Sequence, residues 1–179
     1  TDPMKPSNRA TLIIGFALLL RGLRVLCRWD EWALHYAGYY GQIVQDLERW
    51  DLDRALTTWT GLHPPLFGFF HGLMELHYPA PGLWLLWSAA FSLLAVVALL
   101  RSKGDTVSWV AALIVATEPV QLHYAAEVNN YPMLTGLIGL AWWARSHHRW
   151  VLLALLGVLG AWTHILGGVV IGLMVLTST

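Results

Sequence analysis

Long apolar runs separated by short polar breaks dominate the chain, and their lengths predict helices rather than strands. The first run extends from Ala10 to about Cys27. Gly82 to Leu100 is the clearest, uncharged throughout and long enough to cross roughly 30 Å of hydrocarbon. Thr106 to about Tyr124 follows, interrupted near its end by Glu118-Pro119. Tyr131 to Ala144 and Trp150 to about His164 complete the set. Gly167 to Leu176 is apolar but short, so it either begins a sixth helix or prolongs the fifth. The pattern predicts an all-α, polytopic membrane protein with about five transmembrane helices.

Between residues 28 and 81 the pattern changes. Trp32, Tyr36, Tyr39, Tyr40, Ile43, Val44, Leu47 and Trp50 recur at helical spacing, opposite Gln42, Gln45, Asp46 and Arg49. Such an amphipathic helix lies in the interface plane. Pro64 and Pro65 then open a second apolar helix, Leu66 to Tyr78, too short to cross comfortably. If 28–81 stays on one side, Lys5/Arg9, Arg101/Lys103 and Arg145/Arg149 all share the other. Basic loops favour the cytoplasm. The N-terminus is therefore expected there, with the acidic 28–81 segment periplasmic or otherwise extracytoplasmic, in a membrane of bacterial inner-membrane type. Reading Leu66 to Tyr78 as a true span would reverse the loops at Arg101 and Arg145. No repeat or linker divides the chain, so 1–179 reads as one module.

Composition strengthens the membrane reading. Hydrophobic residues make up 56% and charged residues 12%; a soluble surface needs about twice that charge. The mean hydropathy is +0.53. Eleven Trp and six Tyr suit membrane–water interfaces. A net charge of zero leaves no basic footprint for nucleic acid. The single Cys27 excludes an internal disulfide and any multi-thiolate metal site.

Four places carry candidate chemistry. Asp30-Glu31 follows the first run, where a carboxylate pair reads either as base or cation ligand, or as a helix cap. His63-Pro64-Pro65-Leu66 precedes a helix whose free amides attract anions; alternatively the prolines only turn the chain. The break from Glu118 to Tyr131 holds Glu118, His123 and Glu127, polar groups that are costly at membrane depth unless paired or lining a cavity. His123 also reads as a histidine simply hydrogen-bonded between helices. Thr163-His164 is the fourth, and the expected topology puts all four at one membrane face.

In that order these motifs resemble polytopic glycosyltransferases of the C-type fold, especially protein mannosyltransferase and aminoarabinose-transferase-like enzymes. Arg28-Trp29-Asp30-Glu31-Trp32 is similar to their acidic motif after helix one, and His63 to Leu66 to a His-Pro-Pro-Leu motif. Tyr124 to Tyr131 lines up with a Tyr-Ser-Gln-Glu-Ala-Arg-x-Tyr loop, keeping Glu127 and Tyr131 but carrying Asn129 where many relatives have Arg. Trp162-Thr163-His164-Ile165 echoes a Tyr-Thr-His-Tyr motif. The resemblance covers only the N-terminal module of such enzymes.

It implies a transferase that moves a sugar from a polyprenyl-phosphate donor to an acceptor at the extracytoplasmic face, with inversion. Asp30, with Glu31, would be catalytic; His63, Glu127, Asn129, Tyr131 and His164 would bind donor phosphate or substrate. A divalent cation, Mg²⁺ or Mn²⁺, is a further expectation at the carboxylates. Implied partners are the polyprenyl-phosphate sugar lipid, membrane lipids, and a further membrane subunit or C-terminal part. The competing readings are a non-catalytic membrane subunit that retains the scaffold, and a haem protein using His123 and His164.

Overall fold

A computed structural model describes residues 6–29, 41–57, 65–77, 82–102, 106–127 and 129–177. Among those residues the chain is all-helical, without strands. The helices are α1 (Pro6–Cys27), α2 (Gly41–Glu48), α3 (Leu52–Thr57), α4 (Leu66–His77) and α5 (Gly82–Leu100). Then come α6 (Thr106–Thr117), α7 (Pro119–Tyr124), α8 (Tyr131–Ser146), α9 (Trp150–Thr163) and α10 (Ile165–Leu176).

α8 is the hub, packing on α5, α9 and α10. Its small residues bring the backbones close. A Cβ on Gly136 would lie 2.7 Å from the Phe91 carbonyl oxygen, and one on Gly139 2.7 Å from Ala95 Cα. Gly139→Ala should therefore force α5 and α8 apart and cost about 1–3 kcal/mol. Gly172→Ala is the control, since a Cβ there meets nothing within 4 Å and Ala favours the helix. Thermal unfolding of the two variants should separate them, with only Gly139→Ala lowered.

α10 is a separate helix that doubles back on α9, rather than a continuation of it. His164 breaks the run with extended backbone, and its ring Nδ1 accepts from the Leu166 amide to cap α10. Arg145, in the last turn of α8, donates to the Thr177 carbonyl at 2.9 Å, which brings the far end of α10 back to that of α8.

α1 packs on α5 and α6 through a buried arginine. Pro119 has no N–H, so the Val115 carbonyl four residues earlier loses its helical partner. Arg21 Nη2 donates to that oxygen at 2.8 Å, and Nη1 to the Ala116 carbonyl at 3.2 Å. The remaining donors reach Ser92 Oγ, at 3.0 Å from Nε and 2.9 Å from Nη2, and the Ala17 carbonyl at 3.3 Å. All five guanidinium N–H donors have acceptors. The break at Glu118-Pro119, visible in the sequence, thus explains an arginine inside an apolar bundle.

α2 and α4 pack on each other, with Gly72 against Leu47 and Val44, while Phe67 meets Trp84 edge-on at the start of α5. The amphipathic expectation for this segment needs two corrections. Trp50 is 78% exposed, not buried with the apolar stripe, because the chain turns there in the left-handed region (φ 56°) and ends α2. Asp46 is buried rather than on the polar face: it accepts from Gln42 Nε2 at 2.8 Å and faces Arg54 Nε at 3.6 Å. Residues 32–40 lie outside the described ones.

Two helical stretches are long and apolar enough to cross a membrane, Ser7–Cys27 and Leu83–Leu100. The others expected to cross are shorter, at 12 residues for α6, 16 for α8 and 14 for α9. α1 does not resemble the core helix of a soluble protein, for only 17% of its apolar window is buried. Leu12, Phe16, Leu19, Leu23 and Leu26 are exposed along it. The helix termini sort to two opposite ends of the bundle. Ala10 and Ile13 of α1 pack near Leu99 and Leu100, which puts Arg9 with Arg101, and the α8–α10 contact adds Arg145 to the α8–α9 turn beside Arg149. Arg28 and Glu127 meet at the opposite end.

Candidate functional site

The site is built where the end of α1 meets the break after α7. Arg24 and Arg28 are one turn apart on α1 and its extension, and therefore share a face. Glu118 caps α7 by accepting from the Gln121 amide at 2.7 Å, and the turn that follows brings Glu127 under α1. Arg28 Nη1 donates to Glu127 Oε1 at 2.9 Å. His123 Nε2 lies 2.9 Å from the same oxygen. On its other side His123 Nδ1 is 3.1 Å from Arg24 Nη2. A guanidinium can only donate, so Nδ1 is the acceptor and the ring proton sits on Nε2, facing Glu127. The chain of contacts has one direction, Arg24 to His123 to Glu127, with Arg28 donating from the other side.

The expected loop residues continue from this cluster. Asn129 Nδ2 donates to Glu127 Oε2 at 3.2 Å, and its Oδ1 accepts from the Tyr131 amide at 2.9 Å. The Tyr131 ring lies 4.8 Å from Tyr124 and 5.6 Å from His164. Asn130, fully buried, ties the loop to the α9–α10 turn by donating to the Thr163 carbonyl at 2.8 Å. Glu127, Asn129, Tyr131 and His164 therefore come together as one contiguous surface. Asp30, Glu31 and His63 lie outside the described residues.

Sequence reading offered Arg21, Arg24 or His63 as the cation in place of the relatives' Arg, did not single out Arg28 and Asn130, and left His123 open. The spacing of four between Arg24 and Arg28 was a usable signal, as was their position at the end of an apolar run. Arg21, by contrast, is committed to carbonyls and Ser92, so it is not a cation for a ligand here. The haem reading loses its footing too, because both ring nitrogens of His123 are engaged.

Asp30 and Glu31, two of the carboxylates where a divalent cation is expected, lie outside the described residues. No group of three His, Cys, Asp or Glu side chains converges among them. Glu127, the one expected carboxylate described, already accepts from Arg28, His123 and Asn129. Among the described residues the cluster joins two guanidinium groups, one imidazole and one carboxylate. Compared with family models, curated proteins and solved structures, the chain matches none of them.

Proposed function

We propose that this chain is a polytopic membrane module of the C-type glycosyltransferase kind, taking a sugar from a polyprenyl-phosphate donor at the end that carries Glu127. One observation carries the reading: among the described residues, a cluster of two guanidinium groups, Arg24 and Arg28, with His123 and Glu127 at the tip of a long helix with exposed apolar sides. That combination suits an anion with an apolar tail. Four sequence motifs in family order support it further.

In this reading the exposed apolar faces of α1 and α5 contact lipid, and the shorter helices cross with them as one bundle. The end with Arg9, Arg101, Arg145 and Arg149 is cytoplasmic, since basic loops stay inside. Asp30 takes the proton of the acceptor hydroxyl or amine. The freed lone pair attacks the anomeric carbon as its bond to the phosphate oxygen breaks, which inverts that centre. The departing phosphate keeps the electron pair, and the guanidinium groups of the cluster stabilise the charge that develops there. His63, Tyr131 and His164 supply further contacts to donor or acceptor.

The test is sugar transfer by the purified chain in liposomes, with a polyprenyl-phosphate-linked sugar presented on the outer face. Transfer sustains the proposal. Donor binding without transfer favours a non-catalytic subunit that keeps the scaffold, a reading that Asn129 in place of the relatives' Arg also favours. Neither binding nor transfer would sink both.

The topology has its own check. In a Cys27→Ser background, exposed Gln45→Cys and His147→Cys should react with impermeant thiol reagents from opposite sides of the membrane. Labelling from one side would overturn the orientation.

A further inference from the structure

α5 packs on both α6 and α8, and between these two flanks a groove is left open. Val107, Ala111 and Val115 line it from α6, Ile138 and Trp142 from α8, and Leu99 from α5, around a cavity of about 310 Å³. Small residues create the space, for Ala95 and Gly139, where α5 and α8 approach closely, line it too. Thr135 and Gln121, joined by a 3.2 Å hydrogen bond, bound its outer end. Thr135 and Trp142 are seven residues apart on α8, which makes the groove about 10 Å long by the rise of an α-helix. Its cross-section is then roughly 30 Å², room for one hydrocarbon chain and less than half of what a helix 10–12 Å wide requires.

Cations gather at the inner end, opposite Glu127. The Arg145 guanidinium carbon lies 6.0 Å from the Trp142 ring centroid. Arg101 follows Leu99 by two residues, and Leu99 and Leu100 share one apolar cluster with Trp142. Arg101 and Arg149 are exposed and make no side-chain hydrogen bond or ion pair among the described residues; Arg145 donates to the Thr177 carbonyl. No Asp or Glu occurs in 6–13, 97–102, 106–110 or 142–150, the described stretches that form this end. Lys103 and Asp105 lie outside the described residues.

We propose that the groove and its arginines form a site for one anionic phospholipid of the cytoplasmic leaflet. An acyl chain lies between α6 and α8, and Arg101 and Arg145 take the headgroup phosphate. Charge complementarity selects the headgroup, since basic pockets between helices on the cytoplasmic side hold anionic lipids. The narrow cross-section selects a lipid chain over a helix of a second copy. The site is at the other end of the bundle from the donor site, and it rests on the membrane orientation proposed above but not on sugar transfer.

The test adds phosphatidylglycerol, phosphatidylcholine with the same acyl chains, or the chain-free headgroup glycerophosphoglycerol to the full chain in detergent, and counts bound molecules by native mass spectrometry. Phosphatidylglycerol should saturate at a single tight copy and bind about tenfold or more tighter than phosphatidylcholine, the scale of two arginines at an anionic surface. Arg101→Gln should lose part of that preference, Arg101→Gln with Arg145→Gln all of it, and Arg49→Gln in the outer segment none. Ala111→Leu fills the groove and should weaken both lipids by about tenfold with the arginines intact. Equal affinity for the two lipids in the parent, preference kept in the double arginine variant, or parental binding in Ala111→Leu each overturns the site. Glycerophosphoglycerol displacing the lipid at equal concentration, or a parent dimer that added lipid leaves unchanged and unliganded, overturns it as well. If Ala111→Leu fails to fold, Val107→Trp decides in its place, because Val107 is 64% exposed. Sugar transfer without a preference for phosphatidylglycerol ends this inference alone, whereas the preference without transfer ends the transferase reading alone.

Discussion

An Asp30→Asn variant should transfer sugar about 10²–10⁴-fold more slowly than the parent while still binding the donor. Asn keeps the size and hydrogen-bonding shape of Asp but cannot take a proton, so the loss should fall on kcat and leave the donor KM nearly unchanged. The competing role is a helix cap, and it makes the opposite forecast. Asn caps as well as Asp, so a cap would leave both turnover and stability untouched. Turnover and donor KM measured on one preparation separate the two roles; parental turnover in a folded Asp30→Asn protein removes Asp30 from catalysis.

The largest loss of stability is expected from Arg21→Met. Met fills much of the same volume but leaves the Val115 and Ala116 carbonyls and Ser92 Oγ without the donors they now have. Each buried acceptor left unpaired costs about 1–3 kcal/mol. Removing a buried charge recovers part of this, since the guanidinium's desolvation cost disappears. The net loss should be about 2–4 kcal/mol. Arg21→Lys should fall between Met and the parent, because a single ammonium with three donors cannot span acceptors on α1, α5 and α6. Heat or denaturant unfolding in detergent gives the order parent, Lys, Met. A Met variant as stable as the parent would mean that the carbonyls orphaned at Pro119 find other donors.

The helices were legible in the sequence because their signals are local. Gly82 to Leu100 is bounded as read, and the Glu118-Pro119 break separates α6 from α7 where the missing N–H requires it. The segregation of Arg9, Arg101, Arg145 and Arg149 from Glu127 also followed from the order of apolar runs alone. Other features needed partners distant in sequence. Asp46 occupies a position that helical spacing assigns to the polar face, yet it is buried with Gln42 and Arg54. Whether residues 165–176 prolong α9 or return beside it depended on one extended residue, His164, and on close approach at Gly160 and Gly167.

Arg21 and Arg24 make the division clearest. They lie three residues apart in one apolar run, and hydropathy gives them the same meaning. Arg21 faces the carbonyls freed by Pro119 and Ser92, and becomes a structural tie between three helices. Arg24 faces His123 instead. Local spacing determines which residues share a helix face, because that periodicity is a property of the backbone. What such a face meets depends on contacts some hundred residues away along the chain, and only the packing of α1 against the α6–α7 break decides that.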